Sequence, residues 1–361
     1  MAIQGAFTLT ANEIYETLAN MIISQEVFAD NLGSHQTLVD KARVDGGLYG
    51  DTKLYYSTDV LKSSAWGNDA EAANLLALDR PADPEVQAIK LDVFRQIRLT
   101  VDNYLTKRAF ADEGAFSSFN GVMLGWMKET KKVYDGTNYN VFIGTTETTV
   151  GKQDYEIDVD GARGNASTEE EANRLEATAI AKGIADLLVD MSDYTRDYND
   201  YGYLRSYAND SIKVIWNADY VNKIKKLDVP TIFNKDGLVD KLDEEVLPSR
   251  YFGAVNADAT AGDGATIRAL TEMMIGTNHY FAGDLIKSGD TAPAGTSYTQ
   301  SNDVICKVVT KLPPYMSAFE VGTTFFNPRS LTENHYLTFG HNTLQYFKNY
   351  PFITVKKKAS L

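Results

Sequence analysis

The stretch that decides the fold is Val86–Tyr104, VQAIKLDVFRQIRLTVDNY, followed by Ala115–Tyr134, AFSSFNGVMLGWMKETKKVY. The first segment alternates apolar and polar residues, which is typical of a half-buried β-strand. Its apolar residues fall into two runs: Ile89, Leu91 and Val93, then Ile97, Leu99 and Val101. We interpret the runs as two phases of one extended segment, with a bulge or turn near Phe94.

The second segment has helical periodicity, and it predicts a long helix from Asp112 to Tyr134. Six residues form its apolar stripe: Phe116, Phe119, Val122, Met123, Trp126 and Met127. Asp135-Gly136 is expected to end this helix, and Tyr139–Gly144 is expected to form a strand.

A second extended segment precedes Val86. Leu54, Tyr56, Thr58 and Val60 alternate as in a strand, after a glycine-rich stretch that contains Gly46, Gly47 and Gly50. Together with the segment from Val86 it predicts a long two-stranded arm. Because an isolated hairpin is marginally stable in water, the arm needs a surface to lie on.

The rest of the chain mixes helices and strands without βαβ alternation, so the predicted class is α+β. Capping boxes predict helices over Thr10–Ala29 and Ser167–Met191, and periodicity predicts another over Thr266–Tyr280. The predicted strands are Ser211–Trp216, Val304–Lys311, Ser317–Phe326 and Tyr336–Lys357.

Composition excludes several classes of protein. The net charge of −14 argues against tight binding of nucleic acid phosphates over a broad face. Cys306 is the single cysteine, so no internal disulfide forms. We expect no signal peptide, and no apolar run approaches the ~20 residues that cross a bilayer.

Motifs for catalysis are incomplete. Gly144 to Lys152 has the wrong spacing for a phosphate loop, and Gly262-Asp263-Gly264 lacks the third glycine of a dinucleotide site. Glu156, Asp158 and Asp160 open like a calcium loop, but Ser167 stands where the bidentate Glu is needed. We therefore predict no catalytic, cofactor or metal residues.

Aromatic residues make up 11% of the chain, and tyrosine, with 21 copies, is the commonest. Tyrosine suits interfaces because it buries a large area and keeps a polar group. This composition favours a self-associating protein, and a monomer with a tyrosine-rich core is the alternative.

Three stretches carry a resemblance to a known family. They are Val86–Tyr134; Ile212–Val239, IKVIWNADYVNKIKKLDVPTIFNKDGLV; and Phe325–Val355, FFNPRSLTENHYLTFGHNTLQYFKNYPFITV. The sequence resembles major capsid proteins of tailed bacteriophages, with the Hong-Kong-97-type fold, and is most similar to those of phi-twenty-nine-like podophages of Gram-positive hosts.

The resemblance implies a division of the chain into an N-terminal arm and helix (1–44), an extended loop (45–101), a peripheral domain on a long spine helix (102–138 and 325–361) and an axial domain (139–324). It also implies that copies form hexamers and pentamers of an icosahedral head that encloses the genome.

The implied partners are further copies of the chain, with scaffold, portal and decoration proteins, weak contact with packaged DNA and no membrane. The implied location is the virion, assembled in the host cytoplasm. We expect Leu54, Tyr56, Ile89 and Leu91 to contact a neighbouring subunit, and Gly46, Gly47 and Gly50 to act as a hinge. A cytosolic enzyme with an unrecognised site and another virion structural protein are the alternatives.

Overall fold

The computed structural model describes residues 37–46, 52–63, 78, 80–102, 113–145, 155–221, 243–255, 266–267, 273–281, 284–294, 297–300 and 303–358. The helices are α1 (Thr37–Ala42), α2 (Glu113–Ile143), α3 (Val159–Arg163) and α4 (Glu169–Ser192). The strands are β1 (Arg43–Asp45), β2 (Thr52–Ser57), β3 (Glu85–Asp102), β4 (Tyr155–Ile157), β5 (Lys213–Asn217), β6 (Asp243–Leu247), β7 (Gly253–Val255), β8 (Thr266–Ile267), β9 (Met273–Ile275), β10 (Asn278–Tyr280), β11 (Ser297–Gln300), β12 (Val304–Val309), β13 (Tyr315–Asn327), β14 (Thr332–Asn342) and β15 (Phe352–Lys357). The predicted N-terminal helix lies outside the described residues.

The chain divides into two compact units. The first comprises Met1–Asp51, Leu91–Gly136 and Met316–Thr343, and the second comprises Thr52–Lys90, Thr137–Tyr315 and Leu344–Leu361. Strand β3 belongs to both, because it pairs with β2 up to Lys90 and with β14 from Leu91 onward.

The first unit is a helix packed on an antiparallel sheet. Its strands lie in the order β1, β13, β14, β3. Met127 and Tyr134 of α2 pack on Leu337 and Phe339 of β14, and Ile97 and Leu99 of β3 complete the cluster. The alternating strand and part of the predicted helical stripe thus pack against each other. Met123 and Met127 of the predicted stripe are buried, whereas Trp126 is 51% exposed.

The β3 strand keeps one alternation along its whole length. Odd-numbered residues from Gln87 to Val101 point inward, so the predicted change of phase near Phe94 is wrong. The register shift lies at Asp92 instead, between the pairs Val93–His341 and Leu91–Asn342. The Asp92 carboxylate accepts hydrogen bonds from the amide and hydroxyl of Thr343, at 2.7 and 2.8 Å. These hydrogen bonds stabilise the bulge.

Helix α2 continues past the predicted stop at Asp135-Gly136 and ends at Ile143. The segment Tyr139–Gly144, predicted to be a strand, therefore forms the last turn of this helix and the residue after it. Asp135 is tolerated inside the helix because its buried carboxylate pairs with Lys131 and Arg43, both at 3.2 Å. Gly144 follows the helix where a Cβ would clash with the carbonyl oxygen of Tyr251. Only glycine allows that approach.

The second unit is built on a mixed sheet in the order β4, β15, β12, β5, β6. The three central strands are antiparallel, and β4 and β6 each add in parallel at an edge. Strands β5 and β12 are buried along their full length. Even Lys307 lies inside, where its ammonium donates to Thr354 Oγ1 at 2.8 Å and to the carbonyl oxygen of Thr145 at 3.0 Å.

Helix α4 covers this sheet with the buried residues Ile180, Ile184, Leu187, Leu188 and Met191. It begins one residue later than predicted. Thr168 is the N-cap, and its hydroxyl accepts from the Glu171 amide at 3.2 Å, while Glu171 accepts from the Ser167 amide at 2.9 Å.

The predicted helix over Thr266–Tyr280 is wrong. The described part contains β8, which pairs with β11, and a hairpin of β9 and β10. Gly276 in the hairpin turn has a φ of 61°, a conformation that a helix interior does not use. The strands and helices of both units, with mostly antiparallel sheets, confirm the predicted α+β class.

Candidate assembly surfaces

The β2–β3 hairpin presents two different faces. Leu54 pairs with Ala88 and Tyr56 with Val86, while Tyr55 pairs with Gln87. Paired residues of antiparallel strands project to the same side of the sheet. The first two pairs therefore form one face, here called the outer face (Leu54, Tyr56, Val86 and Ala88). The pair of Tyr55 with Gln87, together with the pair of Lys53 with Ile89, forms the opposite face, here called the inner face.

The inner face is attached to its own unit. The Gln87 side chain donates to the Tyr346 carbonyl at 2.9 Å and accepts from the Lys348 amide at 3.0 Å, so one amide group satisfies two backbone groups. The Tyr55 ring packs edge-on against Phe347, with centroids 4.9 Å apart. Through this face, the hairpin therefore lies on a surface of its own unit.

A second attachment follows β2. The Asp59 carboxylate accepts from Arg196 at 2.7 Å, from the Leu204 amide at 3.0 Å and from the Val60 amide at 2.8 Å. These hydrogen bonds, that of Arg196 first, lower the pKa of Asp59 to about 2. Arg205 also donates to the Thr58 carbonyl at 2.5 Å.

The outer face is apolar and open. Leu54 is 50% exposed, Tyr56 65% and Val86 45%. Three exposed apolar side chains on adjacent strands make a contiguous patch, which is a feature of interaction sites.

The predicted contact residues divide between the two faces. Leu54 and Tyr56 lie on the outer face, as a contact with a neighbour requires. Ile89 and Leu91 point inward and are buried. The alternation of β3 places both residues in the interior. The prediction that they contact a neighbouring subunit is therefore corrected.

The structure describes one of the three predicted hinge glycines. The amide of Gly46 donates to the Ser317 carbonyl at 3.1 Å, and a Cβ there would lie 3.0 Å from the same oxygen. This glycine serves a close approach of two backbones in the first unit. Gly47 and Gly50 lie outside the described residues.

A second exposed apolar surface lies at the β13–β14 turn, and sequence reasoning did not single it out. Phe325 is 60% exposed and Phe326 49%. Strand β13 ends at Asn327, whose side chain accepts from the amide of Arg329 in the following turn at 3.1 Å. The signal was present in the adjacent aromatic residues before the Asn-Pro-Arg turn, but a strand interior explains such residues equally well.

Two potentially reactive side chains, Cys306 and His341, are buried. Cys306 is fully buried, and burial raises the pKa of its thiol. His341 lies in a hydrogen-bond chain: its Nδ1 donates to the Asn342 carbonyl at 2.8 Å, its Nε2 accepts from the Tyr134 hydroxyl at 2.9 Å, and Arg95 donates to that hydroxyl at 3.4 Å. Burial lowers the pKa of His341, which keeps the ring neutral.

The calcium-like motif is used for local structure. The Asp158 carboxylate caps α3 by accepting from the Gly161 amide at 2.9 Å, and Asp160 pairs with Lys357. Within the described ranges, no three His, Cys, Asp or Glu residues are grouped so as to hold a metal ion. None of the described helices is both long and apolar enough to cross a membrane.

The sequence matches no protein-family model and no curated protein. Its structure, in contrast, matches solved structures over nearly the whole chain. A chain in the capsid structure of Staphylococcus phage Andhra has a TM-score of 0.58 at 10% identity, covering 94% of this chain and 88% of that one. The chain has a phage capsid fold.

Two more solved structures match the chain over most of its length. A chain from the structure of head fiber and inner core protein gp22 of native bacteriophage P68 has a TM-score of 0.53 at 11% identity, with 92% and 88% covered. A chain in the capsid structure of the cyanophage P-SCSP1u has a TM-score of 0.50 at 10% identity, with 93% of each covered. The capsid fold predicted from the three sequence stretches is therefore confirmed.

Proposed function

We propose that this chain is the major capsid protein of a tailed phage, and that copies of it form the icosahedral head as hexamers and pentamers. The observation that carries the proposal is the coverage of the fold match. In the Andhra comparison, the similarity spans 94% of this chain and 88% of the other, so it is not limited to one shared motif. Fold alone does not fix function, so assembly has to be tested directly.

The outer face of the β2–β3 hairpin supports self-assembly. The inner face is held by Gln87 and Tyr55, so the apolar residues of the outer face are presented on a fixed support. A preorganised patch loses little conformational entropy on binding, which favours its use as an interface. Leu54 and Tyr56 are the contact residues in this proposal.

The proposed division of the chain keeps an N-terminal arm and helix (1–44), an extended loop (45–101), a peripheral domain (102–138 and 325–361) and an axial domain (139–324). In this proposal the protein is a virion component without enzymatic activity, related to phi-twenty-nine-like podophages of Gram-positive hosts and assembled in the host cytoplasm. Scaffold, portal and decoration proteins are its partners. The net charge of −14 accounts for weak contact with packaged DNA.

The test is to purify the full chain and examine it by gel filtration and negative-stain electron microscopy, with and without a crowding agent. Shells, or rings of five or six subunits, are expected. A compact monomer under all conditions, at concentrations that exceed those of an infected cell, contradicts the proposal.

A further inference from the structure

A cavity of 210 Å³ lies within the second unit, lined by the β2–β3 hairpin on one side and by residues after β12 and between β14 and β15 on the other. By comparison, an engineered apolar cavity of about 150 Å³ takes up benzene. The cavity therefore has room for one substituted aromatic ring. Its lining includes Tyr55, Gln87, Lys311, Phe347, Asn349 and Tyr350.

Three of these side chains give the cavity aromatic walls. The Tyr55 ring meets that of Phe347 edge-on, with centroids 4.9 Å apart, and the Phe347 ring meets that of Tyr350 in the same way at 6.0 Å. Phe347 is buried, so it holds the other two rings from below. Walls of this kind favour a flat aromatic group, which packs well against ring faces and edges.

The enclosed side of the cavity has an acceptor without a donor. Asn349 Oδ1 is buried and has no hydrogen-bond partner among the described residues. The other amide in the lining, that of Gln87, already binds the backbone of Tyr346 and of Lys348. Buried polar atoms in native proteins are nearly always paired. A ligand that donates a hydrogen bond would therefore satisfy Asn349.

The open side of the cavity has a positive charge. Lys311 is exposed, and its ammonium lies 4.9 Å from the ring centroid of Phe347 and 5.3 Å from that of Tyr350. No carboxylate of the described residues pairs with this ammonium. An anion next to the aromatic walls would therefore gain a charge partner that the subunit itself does not use.

We propose that the cavity is a binding site for a small aromatic carboxylate whose ring carries a hydrogen-bond donor. The ring packs among Tyr55, Phe347 and Tyr350, the donor binds Asn349 Oδ1, and the carboxylate binds Lys311. Since Tyr55 belongs to the hairpin and the other residues do not, the bound molecule holds the hairpin to its own subunit. The site lies in a single unit of one chain, so it needs no neighbouring copy.

Three probes test this assignment on the purified full chain: para-hydroxyphenylacetate, phenylacetate, which lacks the donor, and tyrosol, which lacks the carboxylate. The first should bind with a dissociation constant of about 1 mM or below, and the other two about tenfold more weakly. The first should also slow amide hydrogen exchange in residues 52–57 and 346–350. The proposal is overturned if para-hydroxyphenylacetate does not bind at about 10 mM, if either control probe binds as tightly, or if protection lies only in other segments.

A variant of the charged residue provides the second test. Lys311→Gln should weaken the binding of para-hydroxyphenylacetate about tenfold and change that of tyrosol by less than about twofold, which also shows that the cavity is intact. Lys348→Gln is the matched control, since Lys348 is exposed nearby and does not line the cavity. It should bind both probes like the wild type. Wild-type affinity of Lys311→Gln for para-hydroxyphenylacetate, or equal loss of both probes, contradicts the proposal.

Discussion

At the scale of single residues, Asp59 holds the segment after β2 to the rest of its unit through three hydrogen bonds that its carboxylate accepts. When folding lowers the pKa of a carboxyl group, the charged group stabilises the folded state at pH values above its ordinary pKa. Here the stabilisation is complete above about pH 4 and is lost as the pH falls through about 2.

Replacing Asp59 by Asn should therefore lower the melting temperature at pH 7 and flatten its dependence on pH between about 4 and 2. Thermal unfolding followed by circular dichroism measures both effects. Asp197→Asn removes the same charge from an exposed position in the Arg196 segment and should leave the pH dependence intact. An Asp59→Asn variant with the wild-type pH profile contradicts the role of this carboxylate.

Residue environment also accounts for the neutral state of His341. His341 is enclosed by Tyr134 and Asn342, with each ring nitrogen committed to one of them. A proton added to Nε2 would face a hydroxyl that already donates toward it and accepts from Arg95. The group is therefore held neutral for packing between α2 and β14.

At the scale of elements, the start of α4 shows which of two possible N-cap residues the helix uses. The pattern Ser167 with Glu170 predicts one N-cap, and the structure uses Thr168 with Glu171. Both pairs have the same spacing, so local sequence does not distinguish them. The structure distinguishes them through the backbone, because Thr168 is the residue with an extended conformation, at a φ of −135°, directly before the helix.

Thr168→Ala should lower the free energy of unfolding by about 1 kcal/mol, because the Glu171 amide loses its acceptor. Ser167→Ala is the matched control and should change it by less than about 0.5 kcal/mol, since the hydrogen bond at Ser167 comes from its backbone amide. Urea unfolding of both variants measures the difference. A larger loss of unfolding free energy in Ser167→Ala than in Thr168→Ala would show that Ser167 is the N-cap.

At the scale of the whole molecule, the outer face of the hairpin should matter for assembly and not for folding of the subunit. Replacing both Leu54 and Tyr56 by Ser removes exposed apolar surface, so the free subunit should keep its melting temperature within a few degrees. Assembly should fall strongly, because the contacts of a buried apolar patch carry most of the binding free energy. Sedimentation of assembled protein provides the measurement.

The control for this pair is Val189→Ser, which makes the same kind of change at an exposed apolar residue of α4. It should assemble like the wild type. Normal shells from the Leu54→Ser/Tyr56→Ser variant would remove the hairpin from the assembly interface and leave the capsid fold unaffected.

The elements that the sequence predicted correctly are those whose residues pack by a simple period. Helix α4 and the apolar strands β5 and β12 each follow from local spacing. The errors lie where a distant residue changes the local preference. Asp135 stays helical because Arg43 and Lys131 neutralise it, and Arg43 is far from it in sequence.

The same division applies to the candidate interface. The sequence by itself determined that β2 and β3 each have an apolar and a polar side, because side chains alternate along any strand. It did not determine which side the subunit covers. Only the tertiary structure placed Ile89 and Leu91 inside and left Leu54 and Tyr56 exposed, because burial depends on contacts such as Tyr55 with Phe347 that join segments far apart in the chain.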